Sequence, residues 1–181
     1  MSAIYPFWIA GKPVTSDTVA DVVHPGDGKV IGQYYVPSAA HVEQAVAGAW
    51  ESRHVTRRTS AAQRAEALMF ISKRLTERAE EIAQLILDEN GKPLMWARAE
   101  AGRAGLVFRW AAEEVRRFSG ELQRLDTEAA TAGRMAIIRR FPHGPVLGIS
   151  PFNFPMNLVA HKVAPAIAVG APIVVKPAPS T

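Results

Sequence analysis

The amino-acid sequence predicts an α/β fold in which β-hairpins come first, long helices follow, and a parallel βαβ unit comes last. Three observations predict it. Asp27-Gly28 lies between two apolar segments, which is typical of a hairpin turn. Apolar residues then recur at three- and four-residue steps through residues 42–118, as they do in helices. After residue 145 the pattern runs strand, loop, helix, strand, which is the order of a βαβ unit.

The N-terminal segments indicate paired strands. Residues 4–9 precede a turn-rich stretch at 10–13, and residues 19–23 and 30–36 flank a turn at 24–28. Gly26-x-Gly28-Lys29 could instead be a phosphate loop. Its spacing differs from that of a Walker motif, and no strand-to-helix transition follows it. We therefore interpret the segment as a turn.

Three helices are expected next. Ser38 predicts the N-cap of a helix that runs to about residue 50, and Ser60 with Gln63 fits the capping box of a second helix that ends at Asn90-Gly91. A third helix is expected over residues 95–118, where Gly102 and Gly105 indicate close approach to another element. The core-facing stripe predicted for the second helix is Leu68, Ile71, Leu75, Ile82, Leu85 and Ile86. The stripe predicted for the third is Trp96, Ala99, Leu106, Trp110 and Phe118.

The last fifty residues predict a strand from Met135, a bend, and a second strand over residues 146–149. A helix over residues 157–169 contains Pro165, which predicts a kink or a helix in two parts. Gly170 ends this helix. Residues 172–176 form a strand that is apolar on both faces, as buried parallel strands are.

Two places in the βαβ unit could carry chemistry, because ligands of such sheets bind outside the carboxyl ends of the strands. The loop after the first strand offers Asn153, whose amide could donate to a developing oxyanion. Alternatively it satisfies backbone groups within a turn bracketed by prolines, which spacing alone favours. After the second strand, Lys176 could contact phosphate or ribose oxygens. It could equally be a solvated lysine at a strand end.

Composition excludes several classes of site. None of the 181 residues is cysteine, which excludes disulfides, zinc-thiolate and iron–sulfur sites and a cysteine nucleophile within them, and no metal site is predicted. The net charge is +4, but acidic and basic residues alternate on the helices, so a nucleic-acid partner is not expected. The longest apolar stretch, 163–175, contains two prolines and is too short to span a membrane. Without a secretory signal at the start, a cytoplasmic location is expected.

Two long motifs resemble the aldehyde dehydrogenase superfamily. They are PVLGISPFNFP at residues 145–155 and HKVAPAIAVGAPIVVKPA at residues 161–178. HPGDG at 24–28, the helix start at Ser38 and ENGKPL at 89–94 agree more weakly and in the expected order. The resemblance covers nearly the whole chain and implies an incomplete Rossmann-like cofactor domain.

The same resemblance implies three parts of the chain. Residues 1–132 would hold the hairpins and helices of the cofactor domain. Residues 133–144 would form an oligomerisation-type strand, with 134–141 protruding to pair with a neighbouring subunit of a homo-oligomer. Residues 145–181 would begin the parallel sheet, which is truncated.

The chemistry implied by the resemblance is NAD(P)-dependent oxidation of an aldehyde to a carboxylic acid. In the family a cysteine thiolate forms a thiohemiacetal, hydride passes to the nicotinamide, and a glutamate activates water. Asn153 would supply half of the oxyanion hole, and Lys176 would contact the adenosine ribose. The backbone would line the cofactor cleft at Ile149, Ser150 and Pro151 and at the Phe152 carbonyl.

The sequence departs from the family pattern in two ways. Pro179 stands where many members carry a glutamate that holds the ribose hydroxyls and repels a 2′-phosphate, so the cofactor is NAD or NADP. The family's cysteine and glutamate lie beyond Lys176, and neither Ser150 nor Ser180 has a histidine–carboxylate partner suggested by sequence. We expect an N-terminal portion that is inactive alone and that, with an open-edged strand, is unstable, associates with itself or needs the missing half. The alternative is a non-catalytic nucleotide-binding or subunit-assembly module.

Overall fold

The computed structural model describes residues 4–179, which contain five α-helices, nine strands and one 3-10 turn. Ser180 lies outside the described residues. In the part that is described, no helix is both long enough and apolar enough to cross a membrane. The helices are α1 (Ala39–Arg58), α2 (Ala61–Glu77), α3 (Ala79–Asn90), α4 (Leu94–Arg117) and α5 (Pro155–Val169). The strands are β1 (Ile4–Tyr5), β2 (Phe7–Ile9), β3 (Lys12–Val14), β4 (Val19–Val23), β5 (Val30–Tyr35), β6 (Gly120–Arg124), β7 (Met135–Arg139), β8 (Val146–Ile149) and β9 (Ile173–Lys176).

The N-terminal strands form two hairpins, β2 with β3 and β4 with β5. The second was predicted, whereas β3 begins within the stretch 10–13 that was predicted as a turn, and residues 4–9 are divided between β1 and β2. Ala10 and Gly11 turn the first hairpin with φ angles of 49° and 76°. In the second turn Gly28 has a φ of 72°, and its N–H donates to the His24 carbonyl over 2.9 Å. A strand follows this turn, so the hairpin interpretation is confirmed over the phosphate loop. Strand β1 pairs in parallel with β5, which the sequence did not predict.

Helix starts agree with the sequence better than helix ends. Ser38 and Ser60 cap α1 and α2 as predicted, and the Gln63 side chain accepts from the Ser60 N–H over 2.9 Å. Helix α1 continues to Arg58, so the end predicted near residue 50 is wrong. The second predicted helix is two helices, because Arg78 leaves helical geometry with φ −105° and ψ 16°. Gly91 ends α3 in the left-handed region, with φ 71°.

The main core lies between α2, α4 and α5 and is built largely from small side chains. Its buried members are Ala65, Leu68, Ala104, Phe108, Ala112, Val115, Ala160 and Ala164. Small residues allow close helix approach. A Cβ on Gly105 would lie 3.1 Å from the Thr76 hydroxyl, and the Ser72 hydroxyl donates to the Gly105 carbonyl over 2.8 Å. Close approach is therefore confirmed at Gly105, whereas a Cβ on Gly102 would meet no atom of another element within 4 Å.

The predicted stripe of α4 is wrong. Trp96, Leu106, Trp110 and Phe118 are 45–57% exposed, and Ala99 is also exposed. The helix instead buries the face that carries Ala97, Glu100, Ala101, Ala104, Gly105, Phe108, Ala112 and Val115. This face is the buried one because its short side chains let α2 and α5 pack directly against the helix backbone.

The C-terminal region contains one hairpin and one parallel pair. Strands β6 and β7 pair antiparallel. The sequence predicted only β7, because the GELQR sequence of β6 carries a single large apolar residue. Helix α5 runs unbroken through Pro165, so the two-part helix is wrong. Strands β8 and β9 are parallel, as predicted. A Cβ on Gly148 would lie 3.3 Å from Ile173 and Lys162 side-chain atoms, so glycine lets α5 lie close to this sheet.

Candidate active site

The parallel register of β8 and β9 brings the two predicted places to one edge of the sheet. Ile149 lies directly opposite Lys176, and the Ser150 N–H donates to the Lys176 carbonyl over 3.0 Å. Both segments leave their strands at the carboxyl end, where ligands of open α/β sheets bind. Most predicted site residues at this edge are exposed: Ile149, Pro151, Phe152, Asn153, Lys176 and Pro179. Ser150 is buried, so its hydroxyl is not exposed to a ligand.

The Asn153 side chain is available to a ligand. It is exposed, and within residues 4–179 its amide makes no hydrogen bond. The alternative that the amide satisfies backbone groups in the proline-bracketed turn is therefore not what the structure shows. An amide NH₂ in this state can donate to an oxygen without changing its own protonation.

Side chains from outside the loop hold residues 150–154, which we call the Asn153 loop. The Asn90 amide donates to the Phe152 carbonyl over 3.0 Å. The Lys92 ammonium group donates to the Asn153 carbonyl over 2.7 Å and lies 4.0 Å from the centre of the Phe154 ring. The loop thus receives two hydrogen bonds and a cation–π contact from the end of α3 and from the connection that follows it.

Glu100 joins these contacts to α5. Its carboxylate is fully buried and forms an ion pair with the Lys92 ammonium group. The Oε1 atom of Glu100 also accepts from the Met156 and Asn157 N–H groups, over 3.0 and 3.1 Å. Helix α5 has no side-chain cap of its own, so this carboxylate of α4 takes that place at the positive end of the helix dipole.

The Glu100 carboxylate also occupies N–H groups of the kind that could hold a dinucleotide. In many βαβ units the first N–H groups of the helix hold the diphosphate. Here Glu100 accepts from two of the α5 N–H groups, so these two donors are already paired within the chain. Lys176 is exposed, and its long contact of 3.4 Å with the Pro177 carbonyl leaves its donors available for an oxygen ligand.

Asn157 carries a buried oxygen without a hydrogen-bond partner. The residue is 9% exposed, and its Oδ1 atom has no partner among the described residues. Leaving such an acceptor unpaired costs about 1–3 kcal/mol.

One ionisable group next to the loop contacts has a shifted pKa. Burial raises the pKa of the Glu89 carboxyl, and the neighbouring charge of Asp88 raises it further. Glu89 directly precedes Asn90, so the segment that holds the loop begins with a half-buried acid.

Sequence reasoning gave no role to Asn90, Lys92 or Glu100. Asn90 and Lys92 lay within the ENGKPL motif, but the motif does not say what they contact. For Glu100, however, the spacing of its neighbours in the sequence does indicate a position on the buried face. It lies three residues after Ala97 and four residues before Ala104, which places a carboxylate on the small-residue face of a helix.

Known proteins match this chain in both sequence and structure. The Aldehyde dehydrogenase family matches residues 9–181. The sulfoacetaldehyde dehydrogenase of Neptuniibacter caesariensis is 37% identical over 158 residues, which is 87% of this chain and 35% of that protein. The crystal structure of aldehyde dehydrogenase 21 from Physcomitrella patens in complex with the reaction product succinate has a TM-score of 0.93 and 39% identity, covering 98% of this chain and 37% of that one.

A further solved structure is the NADP-dependent glyceraldehyde-3-phosphate dehydrogenase from Bacillus halodurans C-125, complexed with NADP. Its TM-score is 0.92 at 32% identity, covering 98% of this chain and 38% of that one. The chain thus spans 35–38% of the length of these relatives and corresponds to their N-terminal portion. Its fold is a partial Rossmann-like cofactor domain. From this match over nearly all of its residues, the chain belongs to the aldehyde dehydrogenase family.

Proposed function

We propose that this chain is the cofactor-side portion of an NAD(P)-dependent aldehyde dehydrogenase that converts an aldehyde to a carboxylic acid. The observation that carries the proposal is the unpaired Asn153 amide, held on a loop at the sheet edge where Ile149 lies opposite Lys176. Family membership supports the same reaction class. The net reaction consumes aldehyde, water and oxidised cofactor and yields acid, reduced cofactor and a proton.

Asn153 is the group of this chain that acts on the aldehyde. When a nucleophile adds to the carbonyl carbon, the aldehyde oxygen gains negative charge, and the Asn153 amide donates to it. One such donor contributes about 2.7–4 kcal/mol to transition-state stabilisation. The 181 residues contain no cysteine, so a thiolate nucleophile must come from residues outside them.

The residues at the sheet edge fit a dinucleotide. Lys176 offers an exposed cation to ribose oxygens, and the Phe152 carbonyl keeps one lone pair after accepting from Asn90. The segment from Lys176 to Pro179 contains no carboxylate, so a 2′-phosphate meets no opposing charge there. We infer that NAD and NADP both fit. When bound, the cofactor accepts the hydride.

The β6–β7 hairpin is a self-association surface in this proposal. Leu122 lies opposite Ile137, and Met135 shares their face. These three side chains are 65–75% exposed. An apolar hairpin face of this kind favours a second copy of the chain as its partner, because pairing would cover both the side chains and the strand edge.

Calorimetric titration of the purified chain with NAD and with NADP tests cofactor binding. We expect heat with at least one cofactor and weaker binding in Lys176→Ala. Lys73→Ala removes a lysine that is 75% exposed on α2 and should leave binding unchanged. A folded chain that gives no heat with either cofactor would overturn the cofactor role.

An assay of aldehyde oxidation completes the test. We expect no turnover by the 181-residue chain alone, since it lacks the nucleophile. Turnover by the purified chain would contradict that expectation. If NAD or NADP binds with heat but no complex that contains the chain oxidises an aldehyde, the alternative of a non-catalytic nucleotide-binding module would be favoured.

A further inference from the structure

We propose that Lys92 and Glu100 are positioning residues that fix the Asn153 loop through one buried charge pair. The pair joins four parts of the chain, because Lys92 follows α3, Glu100 belongs to α4, and their backbone partners lie in the loop and at the start of α5. The value of this geometry for catalysis rests on the proposed role of Asn153. The positioning itself does not, and it can be tested without any cofactor.

The Asn153 loop contributes little to its own rigidity. Pro151, Phe152 and Asn153 are exposed, and the Ser150 hydroxyl reaches a loop carbonyl only at 3.5 Å. Loops with few buried contacts open at low free-energy cost. The contacts from Asn90 and Lys92 therefore supply most of what holds this loop to the helices.

Both oxygens of Glu100 are needed. Oε1 accepts from the α5 N–H groups, and Oε2 accepts from Lys92. In Glu100→Gln the amide oxygen can serve α5, but its NH₂ would then face the Lys92 ammonium group, donor against donor. Lys92→Met removes the bond to the Asn153 carbonyl and leaves a buried carboxylate without its cation.

The sign of each charge also matters. An isolated ion pair can form again when its two residues are exchanged, but we do not expect this pair to restore the loop in that way. In the double variant Lys92→Glu with Glu100→Lys, the new lysine would face the N–H groups of Met156 and Asn157 and the positive end of α5. Charge reversal should consequently fail to restore the loop, whereas Lys92→Arg keeps the cation and should restore most of what Lys92→Met loses.

Hydrogen exchange followed by NMR on the ¹⁵N-labelled chain is the test. We expect the Met156 and Asn157 amides to exchange roughly threefold to tenfold faster in Glu100→Gln, because their hydrogen bonds keep an oxygen acceptor but lose its charge. In Lys92→Met the Asn153 side-chain amide signals should shift or broaden. Core amides such as those of Leu68 and Phe108 should keep their protection. Arg98 lies on α4, as Glu100 does, and forms an exposed ion pair with Glu80 of α3. Arg98→Gln breaks this pair and should leave the Asn153 loop unchanged.

Each outcome decides the proposal. Loss of protection confined to the loop and the start of α5, with recovery in Lys92→Arg, supports positioning. An equal loss of protection throughout the core would assign the pair to global stability and overturn the proposal. An unchanged loop in Lys92→Met would also overturn it, as would recovery of loop protection in the charge-reversed double variant. Should Glu100→Gln unfold, Lys92→Met still decides, because it leaves the Glu100 carboxylate in place to accept from the Met156 and Asn157 N–H groups. Failure of NAD(P) to bind would defeat the proposed function and leave this result standing.

Discussion

The Lys92 ammonium group and the Glu100 carboxylate form an ion pair across the α3–α4 connection, and each also binds backbone near Asn153. Removing one member of a buried pair typically costs about 3–5 kcal/mol, because the other charge is left unpaired. We expect Lys92→Met to lower the free energy of unfolding by an amount toward the low end of that range, since Lys92 retains some contact with solvent.

A double-mutant cycle with Lys92→Met and Glu100→Gln, measured by urea unfolding, checks this pair. The expected coupling is about 0.5–3 kcal/mol. The matched cycle on Arg98 and Glu80 should give a smaller coupling, because both side chains are more than half exposed. Equal coupling in the two cycles would show that burial does not strengthen the interaction between Lys92 and Glu100.

Asn153→Ala should separate activity from stability. The side chain is exposed and makes no hydrogen bond within the described residues, so unfolding free energy should change by less than about 0.5 kcal/mol. In any form of the protein that oxidises an aldehyde, kcat should fall by roughly 10²–10³-fold. Steady-state kinetics and thermal unfolding of the same preparation check both. A large loss of stability would mean that Asn153 is structural.

Glu89→Gln should stabilise the chain at neutral pH. Burial, and then the Asp88 charge, raise the pKa of Glu89 above its unfolded value of about 4.3. A raised carboxyl pKa means that the folded state holds the proton more tightly, so stability from this group is complete below the unfolded pKa and is lost as pH rises through the folded pKa. The gain from Glu89→Gln should therefore be present at pH 7 and vanish below about pH 4.

Glu80→Gln is the control with the opposite sign. The hydrogen bond from Arg98, with a lesser contribution from the Arg98 charge, lowers the pKa of Glu80. Its stabilising contribution is present above the unfolded pKa and is lost as pH falls through the folded pKa. Urea midpoints at neutral and acidic pH compare the two variants. The same sign of change in both at pH 7 would contradict the assignment for Glu89.

Asn157→Leu should leave stability unchanged or increase it. Leucine has the same branched arrangement of heavy atoms, and it removes the buried Oδ1 atom that lacks a partner among the described residues. The backbone N–H of residue 157 still donates to Glu100. Asn157→Asp should destabilise strongly, since it adds a second buried carboxylate beside the first. A lower thermal midpoint in Asn157→Leu would reveal a partner for the oxygen.

Ile137→Asp should weaken self-association. The side chain is 75% exposed on the apolar face of the β6–β7 hairpin, so a charge there interferes with association without disturbing the core. Light scattering coupled to size-exclusion chromatography should show a lower mass than for the unmodified chain. Gln123→Asp places the same charge on the other face of the hairpin and is the control. A monodisperse monomer of the unmodified chain would contradict the assembly role.

Local chemistry could be predicted from sequence because it depends on neighbours along the chain. Ser38 and Ser60 cap helices through side chains that reach N–H groups three residues away. Gly28 turns the hairpin because positive φ suits glycine. The parallel order of β8 and β9 follows from a βαβ pattern that leaves one edge for both carboxyl ends, and so for Asn153 and Lys176.

Packing between distant segments was decided only by the tertiary structure. The aromatic residues of α4 predicted one buried face, but close contact with α2 and α5 selected the small-residue face instead. The polar strand β6 exists because β7 supplies its hydrogen-bond partners. Glu100 caps a helix 56 residues away and meets Lys92 in the interior. The sequence by itself determined the family motif and the local turns and caps, whereas the contacts that hold Asn153 in place depend on side chains brought together by folding.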